Sequence, residues 1–324
     1  MKFQHVVMAG VTAVALASQP ATAQVAVDAS IPAYTPVKGV SGTIKSVGSD
    51  TMNNEMTLWA EGFKTFYPNV QIEIEGKGSS TAPPALVAGS AQFGPMSRTM
   101  KDAEIADFKT AFGYEPTAVA TSIDMLAVFV HKDNPLKSLS IKQLDGIFSK
   151  THASGSVDIV TWGDLGLTGE WKDKPISLYG RNSASGTYGY FKEHALSKGD
   201  YKDSVKEQPG SATVVQAVAS DRYAIGYSGI GYKTADVRTV PLSKTEADKA
   251  IEASVENAYS GVYPLSRFLF LYVNRKPGEA LDPLRREFLK FVLSKQGQET
   301  VVKDGYFPLT AVLRDRQNKA AGLD

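Results

Sequence analysis

A short apolar run, then a loop of Ser, Thr and Gly, then a helical pattern: this order recurs along the chain and restricts its fold more than any other feature. Thr43 to Val47 reads as a strand and Gly48-Ser49-Asp50-Thr51 as a turn. Met52 to Tyr67 reads as a helix, with Met56, Trp59, Phe63 and Phe66 at helical spacing and Pro68 as its stop. Val70 to Ile74 is the next strand, and Gly76-Lys77-Gly78-Ser79-Ser80-Thr81 opens a second helix over Ala85 to Ala88. A third loop, Gly94-Pro95-Met96-Ser97-Arg98-Thr99, precedes a helix over Asp102 to Ala111. Such units build a parallel α/β layer, and ligands bind at the loops that follow its strands.

The fourth loop carries the most chemistry. Pro175 to Tyr179 reads as a strand and Gly189 to Leu196 as a helix, with Arg181-Asn182-Ser183-Ala184-Ser185-Gly186-Thr187 between them. The first N–H groups of a helix lack internal partners, and the helix dipole favours an anion there. Ser185, Gly186 and Thr187 add two hydroxyls and a backbone that can be approached closely, and Arg181 adds a planar two-pronged donor. Each loop alone reads equally well as an ordinary helix cap. Four together point to an anion held by helix ends and hydroxyls.

Composition narrows the partner. The chain has 324 residues, no cysteine, 35 Lys+Arg and 34 Asp+Glu. That near-neutral balance argues against nucleic acid or an anionic membrane as partner. The four histidines are scattered without metal-ligand spacing, and nothing calls for a cofactor. Residues 1–23 read as a signal peptide: Lys2 and His5 form a weakly basic start, Val6 to Ser18 an apolar core, and Ala21-Thr22-Ala23 a cleavage signal after Ala23. The mature chain is then expected to begin at Gln24 and to be exported. Residues 24–39, with Pro32 and Pro36, form an N-terminal extension of little pattern.

Further along, Val119 to His131 is a long apolar strand interrupted by Asp124, followed by a helix over Ile141 to Phe148 and an irregular stretch from Ser149 to Gly169. Ser211 to Ser220 reads as a helix, Ala224 to Ser228 as a buried strand, Tyr263 to Val273 as a long strand, and Pro283 to Leu293 as an amphipathic helix. These features resemble the periplasmic phosphate-binding proteins of bacterial ABC transporters. The resemblance covers about residues 40 to 310. It rests on Gly48-Ser49-Asp50-Thr51 with Trp59 after it, Gly78-Ser79-Ser80, Phe93-Gly94, Asn134-Pro135, Trp162, Ala224-Ile225-Gly226-Tyr227, Gly297-Gln298 and Gly305-Tyr306. Its most specific part is Arg181, three residues, then Ser185-Gly186-Thr187.

The resemblance implies an α/β, two-lobed type II periplasmic binding fold. Each lobe is a mostly parallel sheet flanked by helices, with the ligand in the cleft. Residues 40–122 and 262–324 are expected to form the first lobe and 123–261 the second, with hinges near Ser122 to Asp124 and Gly261 to Pro264. It further implies high-affinity capture of inorganic phosphate by a monomer, and delivery to a membrane permease and its ATPase. The implied ligand set is Asp50, Thr51, Ser79, Ser97, Arg98, Arg181, Ser185, Gly186 and Thr187.

Two departures from the family pattern bear on that set. The aspartate usual in the third loop is absent, and Ser97 and Arg98 straddle its position. The first loop carries Asp50 where a hydroxyl is usual, so the carboxylate has changed loops, and Arg98 is expected to offset its charge. Asp50 can equally be a plain cap of the Met52 helix. Other readings are a receptor for sulfate, molybdate or an organic phosphate, a secreted phosphatase or esterase, and an adhesin or scaffold on the same fold. Against hydrolysis, no serine lies in a Gly-x-Ser-x-Gly elbow and no histidine is placed as a base.

Overall fold

The structure, a computed structural model, describes residues 25–323; the signal peptide expected at 1–23 lies outside the described residues. Its strands are β1 (Thr43–Val47), β2 (Gln71–Glu75), β3 (Gly94–Met96), β4 (Thr117–His131), β5 (Leu139–Ser140) and β6 (Ser177–Arg181), followed by β7 (Lys206–Gln208), β8 (Ala224–Gly229), β9 (Val237–Thr239), β10 (Leu242–Ser243) and β11 (Ser266–Val273). Strands joined through helices pair in parallel: β1 with β2, and β6 with both β7 and β8. β1 also meets β3 through a parallel bridge between Ser46 and Phe93. The two long strands differ. β11 runs antiparallel to β3 and β4, and β4 antiparallel to β8 and β9.

β4 is the joint of the molecule. Its residues Thr117 to Met125 pair with β11, and Leu126 to Val130 pair with β8. The same strand is therefore central to the layer holding β3 and β11 and to the layer holding β6 and β8. It is buried on both faces from Val119 to Val130, which accounts for its continuous apolar run. A register shift in β11 between Leu269 and Phe270 marks the place where the pairing bends.

Helices from both ends of the chain pack into the first half. Trp59 and Phe63, on the helix Asn53–Phe66, are fully buried; the Trp59 indole donates to the Gly297 carbonyl at 2.8 Å, and Phe63 meets Phe288 edge-on at 5.3 Å. Burying one such aromatic contributes roughly 1.5–3 kcal/mol. The described part of the extension, residues 25–39, is docked on this half: Tyr34 packs on Phe66 and Phe291, shares a 2.7 Å hydrogen bond with Tyr67, and donates to Glu287 at 2.9 Å. The second half is organised on Tyr227, whose ring stacks on Phe191 at 3.9 Å and meets Phe148 edge-on.

Element bounds shift where caps decide them. The expected Met52 helix begins with a 3-10 turn, Asp50–Met52, before the helix Asn53–Phe66. Arg181, expected in a loop, is the last residue of β6. The helix expected at Gly189 starts at Gly186, because Ser185 accepts from the Thr187 and Tyr188 amides and so caps it three residues earlier. A 3-10 turn, Trp162–Leu165, lies in the stretch expected to be irregular.

Candidate functional site

The four loops meet where the two halves face each other. The Ser80 amide donates to the Ala184 carbonyl at 3.1 Å, and Gly78 holds a φ of 121° against that same residue, where any Cβ would lie 2.5 Å from the carbonyl oxygen. Gly186 is similarly constrained: a Cβ there would stand 2.3 Å from Ser79 Oγ and 2.7 Å from Ser97 Oγ. Ser79 Oγ and Ser97 Oγ are themselves 3.3 Å apart, and Thr51 Oγ1 and Thr187 Oγ1 are 2.9 Å apart. Thr51, Ser79, Ser97, Ser185 and Thr187 are all buried.

The direction of the hydroxyl protons follows from their partners. Ser79 Oγ accepts from the Ser97 amide at 3.0 Å, Ser185 Oγ from the Thr187 amide at 3.1 Å, and Thr187 Oγ1 from Arg267 Nη2 at 2.9 Å. Each oxygen already receives a proton from the protein, so each is left with its own proton to donate. A buried cluster whose accepting capacity is partly taken by the protein, and whose hydroxyl protons remain, suits a species rich in acceptors, which is an oxyanion.

Arg181 reaches the first loop through Asp50, the neighbour of Thr51. Its Nη1 donates to Ser211 Oγ at 2.6 Å and Nη2 to the Pro209 carbonyl at 3.2 Å, while Nε, fully buried, has no hydrogen-bond partner among the described residues. Burial lowers its pKa, and Asp50, 3.2 Å from Nη2, opposes that shift. An arginine so placed stays cationic.

Asp50 does not cap the helix that follows it; Ser49 occupies that cap position and no side chain bonds there. Its Oδ1 instead accepts from the Ser211 amide at 2.7 Å, capping the helix Ser211–Ser220 on the other half of the molecule. Its charge is offset by Arg181, not by Arg98 as expected. Arg98 is committed elsewhere: both its Nη atoms reach Glu104 at 2.7 Å, and Nη1 also donates to the Thr99 carbonyl. Ser97 and Arg98 are thereby separated in space. Ser97 joins the buried hydroxyls, while Arg98 lines an outer cavity of about 510 Å³ with Tyr190, His194 and Phe268.

Several residues at this place were missed by sequence reasoning. Arg267, on β11, donates through Nε and Nη2 to Asp124 Oδ2 at 2.9 and 2.7 Å, and through Nη1 to the Ser97 carbonyl at 2.8 Å. Asp124 interrupts an apolar strand, and that lone charge was the available signal. Tyr306 donates to the Thr51 carbonyl at 2.9 Å and Tyr232 to the Asp50 carbonyl at 3.1 Å, together pinning the first loop. Burial pushes both phenols up, so they remain donors at neutral pH.

A family model described as a PBP superfamily domain matches residues 33–296, and the chain belongs to that family. Its fold is accordingly the two-lobed type II periplasmic binding fold. The chain is 57% identical over 317 residues, 98% of both sequences, to the phosphate-binding protein PstS of Pseudomonas aeruginosa. It is 29% identical over 282 residues, 86% of this chain and 85% of the relative, to PstS of Bacillus subtilis. Among solved structures it is similar to a Clostridium perfringens protein, described as a phosphate ABC transporter substrate-binding protein and crystallised with bound phosphate. That match has a TM-score of 0.70 and 28% identity, and covers 83% of this chain and 100% of the other.

Proposed function

We propose that this protein is a high-affinity receptor for inorganic phosphate that captures the anion between its lobes and delivers it to an ABC-type membrane permease with its ATPase. The observation that carries the reading is the buried cluster in which the hydroxyls of Thr51, Ser79, Ser97, Ser185 and Thr187 converge, with Arg181 paired to the neighbouring Asp50. The relatives' phosphate-binding names and the bound phosphate of the Clostridium perfringens protein support it. The ligand set is Asp50, Thr51, Ser79, Ser97, Arg181, Ser185, Gly186 and Thr187, with Arg98 outside it, held by Glu104. The protein acts by binding and release, a reading supported by the phosphate-binding and substrate-binding names of its relatives. It works as a monomer in the periplasm after cleavage behind Ala23.

Calorimetric titration with phosphate, sulfate, molybdate and a phosphate monoester tests this. Phosphate alone should bind tightly, and equal or better binding of another anion would overturn the reading. Gly186→Ala should weaken phosphate about tenfold in the same assay, because its methyl group forces Ser79 and Ser97 apart in a close-packed site. An unchanged affinity would remove Gly186 from the ligand set.

The lobes divide at 40–122 with 262–324, and 123–261, and close about Ser122 to Asp124 and Gly261 to Pro264. The change of partner in β4 between Met125 and Leu126 supports this, as does the 3.0 Å bond from the Leu126 amide to the Leu265 carbonyl, which ties the two strands together there. Small-angle scattering should give a smaller radius of gyration with saturating phosphate than without. Superimposable profiles would speak against closure.

A further inference from the structure

Arg267 has a place in the molecule that the ligand set does not explain. It is 6% exposed, on β11, directly opposite Asp124 in the register with β4. Both residues stand where the two lobes share their sheet. Asp124 takes the guanidinium on Oδ2 and the Ile230 amide of the second lobe on Oδ1 at 3.1 Å. From that anchor the guanidinium reaches the third loop, at the Ser97 carbonyl, and the fourth, at Thr187 Oγ1. Its face lies 5.2 Å from the Tyr190 ring centroid.

We propose that Arg267 is a positioning residue for phosphate capture, acting through Thr187 by setting which way that hydroxyl points its proton; this rests on the phosphate reading above. A guanidinium donates and never accepts, and it stays protonated. Thr187 Oγ1 therefore receives Arg267's proton, and its own must go to Thr51 Oγ1, 2.9 Å away, or to an anion in the site. Without Arg267, Thr187 can accept from Thr51 and turn a lone pair toward the cleft. An anion would then meet an acceptor where it needs a donor. The bond to the Ser97 carbonyl helps hold the guanidinium in place beside Thr187.

A buried ion pair can also be purely structural, and removing one partner then simply destabilises the fold. A double-mutant cycle separates the two roles. Phosphate affinity is measured by calorimetry for wild type, Arg267→Lys, Thr187→Val and the double variant. Lysine keeps a cation for Asp124 but lacks the fork. Arg267→Lys and Thr187→Val should each weaken phosphate about tenfold, the scale of one lost hydrogen bond to a charged group. The double variant should be no weaker than Thr187→Val by more than about twofold, because without the hydroxyl there is no proton to direct. In a Thr187→Ser background, the effect of Arg267→Lys should return. Affinity unchanged in Arg267→Lys, or losses that multiply in the double variant, would overturn the role. Should Arg267→Lys not fold, Asp124→Asn, which keeps the arginine and loosens its anchor, replaces it in the same cycle with the same expected outcomes. Wild type that binds no phosphate overturns the functional reading and this role together. Wild type that binds while the cycle is additive overturns only the role of Arg267.

Discussion

Arg181→Ala is expected to weaken phosphate binding by about a hundredfold or more, the change that follows from truncating a buried, hydrogen-bonded charge at about 2–5 kcal/mol. The side chain is 1% exposed, ends β6, and is held by Ser211 and the Pro209 carbonyl with its Nε left over. A side chain fixed in that way has little freedom to lose when the anion arrives, so most of its attraction appears as affinity. Its removal also leaves Asp50 facing the cleft without its cation, which repels the anion further. Arg181→Lys should weaken binding as well, because a point charge cannot hold Ser211, Pro209 and the ligand from one plane. Titration calorimetry checks both, with thermal unfolding alongside to show that the variants are folded. Near-unchanged affinity in both would detach this loop from the ligand.

Asp50→Asn is expected to let sulfate compete with phosphate, reducing discrimination by about a hundredfold. Phosphate near neutral pH keeps a proton and sulfate does not. A carboxylate can only accept hydrogen bonds, so it takes the proton of phosphate and leaves sulfate with an unpaired charge opposite its own. The structure apportions the two oxygens of Asp50: Oδ1 serves the Ser211 amide and Arg181, and Oδ2 has no hydrogen bond among the described residues. That second oxygen is the one available to read the proton. Asparagine keeps the cap on Ser211 and offers a donor instead. Asp50→Ala should show the same loss of discrimination with an added stability cost of about 1 kcal/mol from the missing cap. Competition titrations with sulfate measure the ratio. A variant that still rejects sulfate as strongly as wild type would confine Asp50 to capping.

The two aspartates show where sequence reasoning works and where it stops. That the first loop carries a carboxylate could be read from the residues, because Asp50 stands beside Thr51 at a fixed count from Trp59. Its partner could not. Arg98 was nearer in sequence and already in a neighbouring loop, yet Glu104, six residues on, takes it in a two-pronged pair. Asp124 was visible as a charge in an apolar strand, but its partner Arg267 lies 143 residues away.

What the sequence alone determined is local and periodic. The strand, loop and helix order, the Ser185 cap and the clustering of hydroxyls at helix starts all follow from side-chain spacing and from backbone donors that must be satisfied within a few residues. What only the tertiary structure decided is pairing across distance: Asp50 with Arg181 and Ser211, Arg267 with Asp124 and Thr187, and Ser97 rather than Arg98 among the buried hydroxyls. Those pairings depend on how β4 and β11 register against each other and on how closely the loops of the two lobes approach. A buried charge goes to whichever partner the packed fold brings within about 3 Å, and position along the chain carries no information about that.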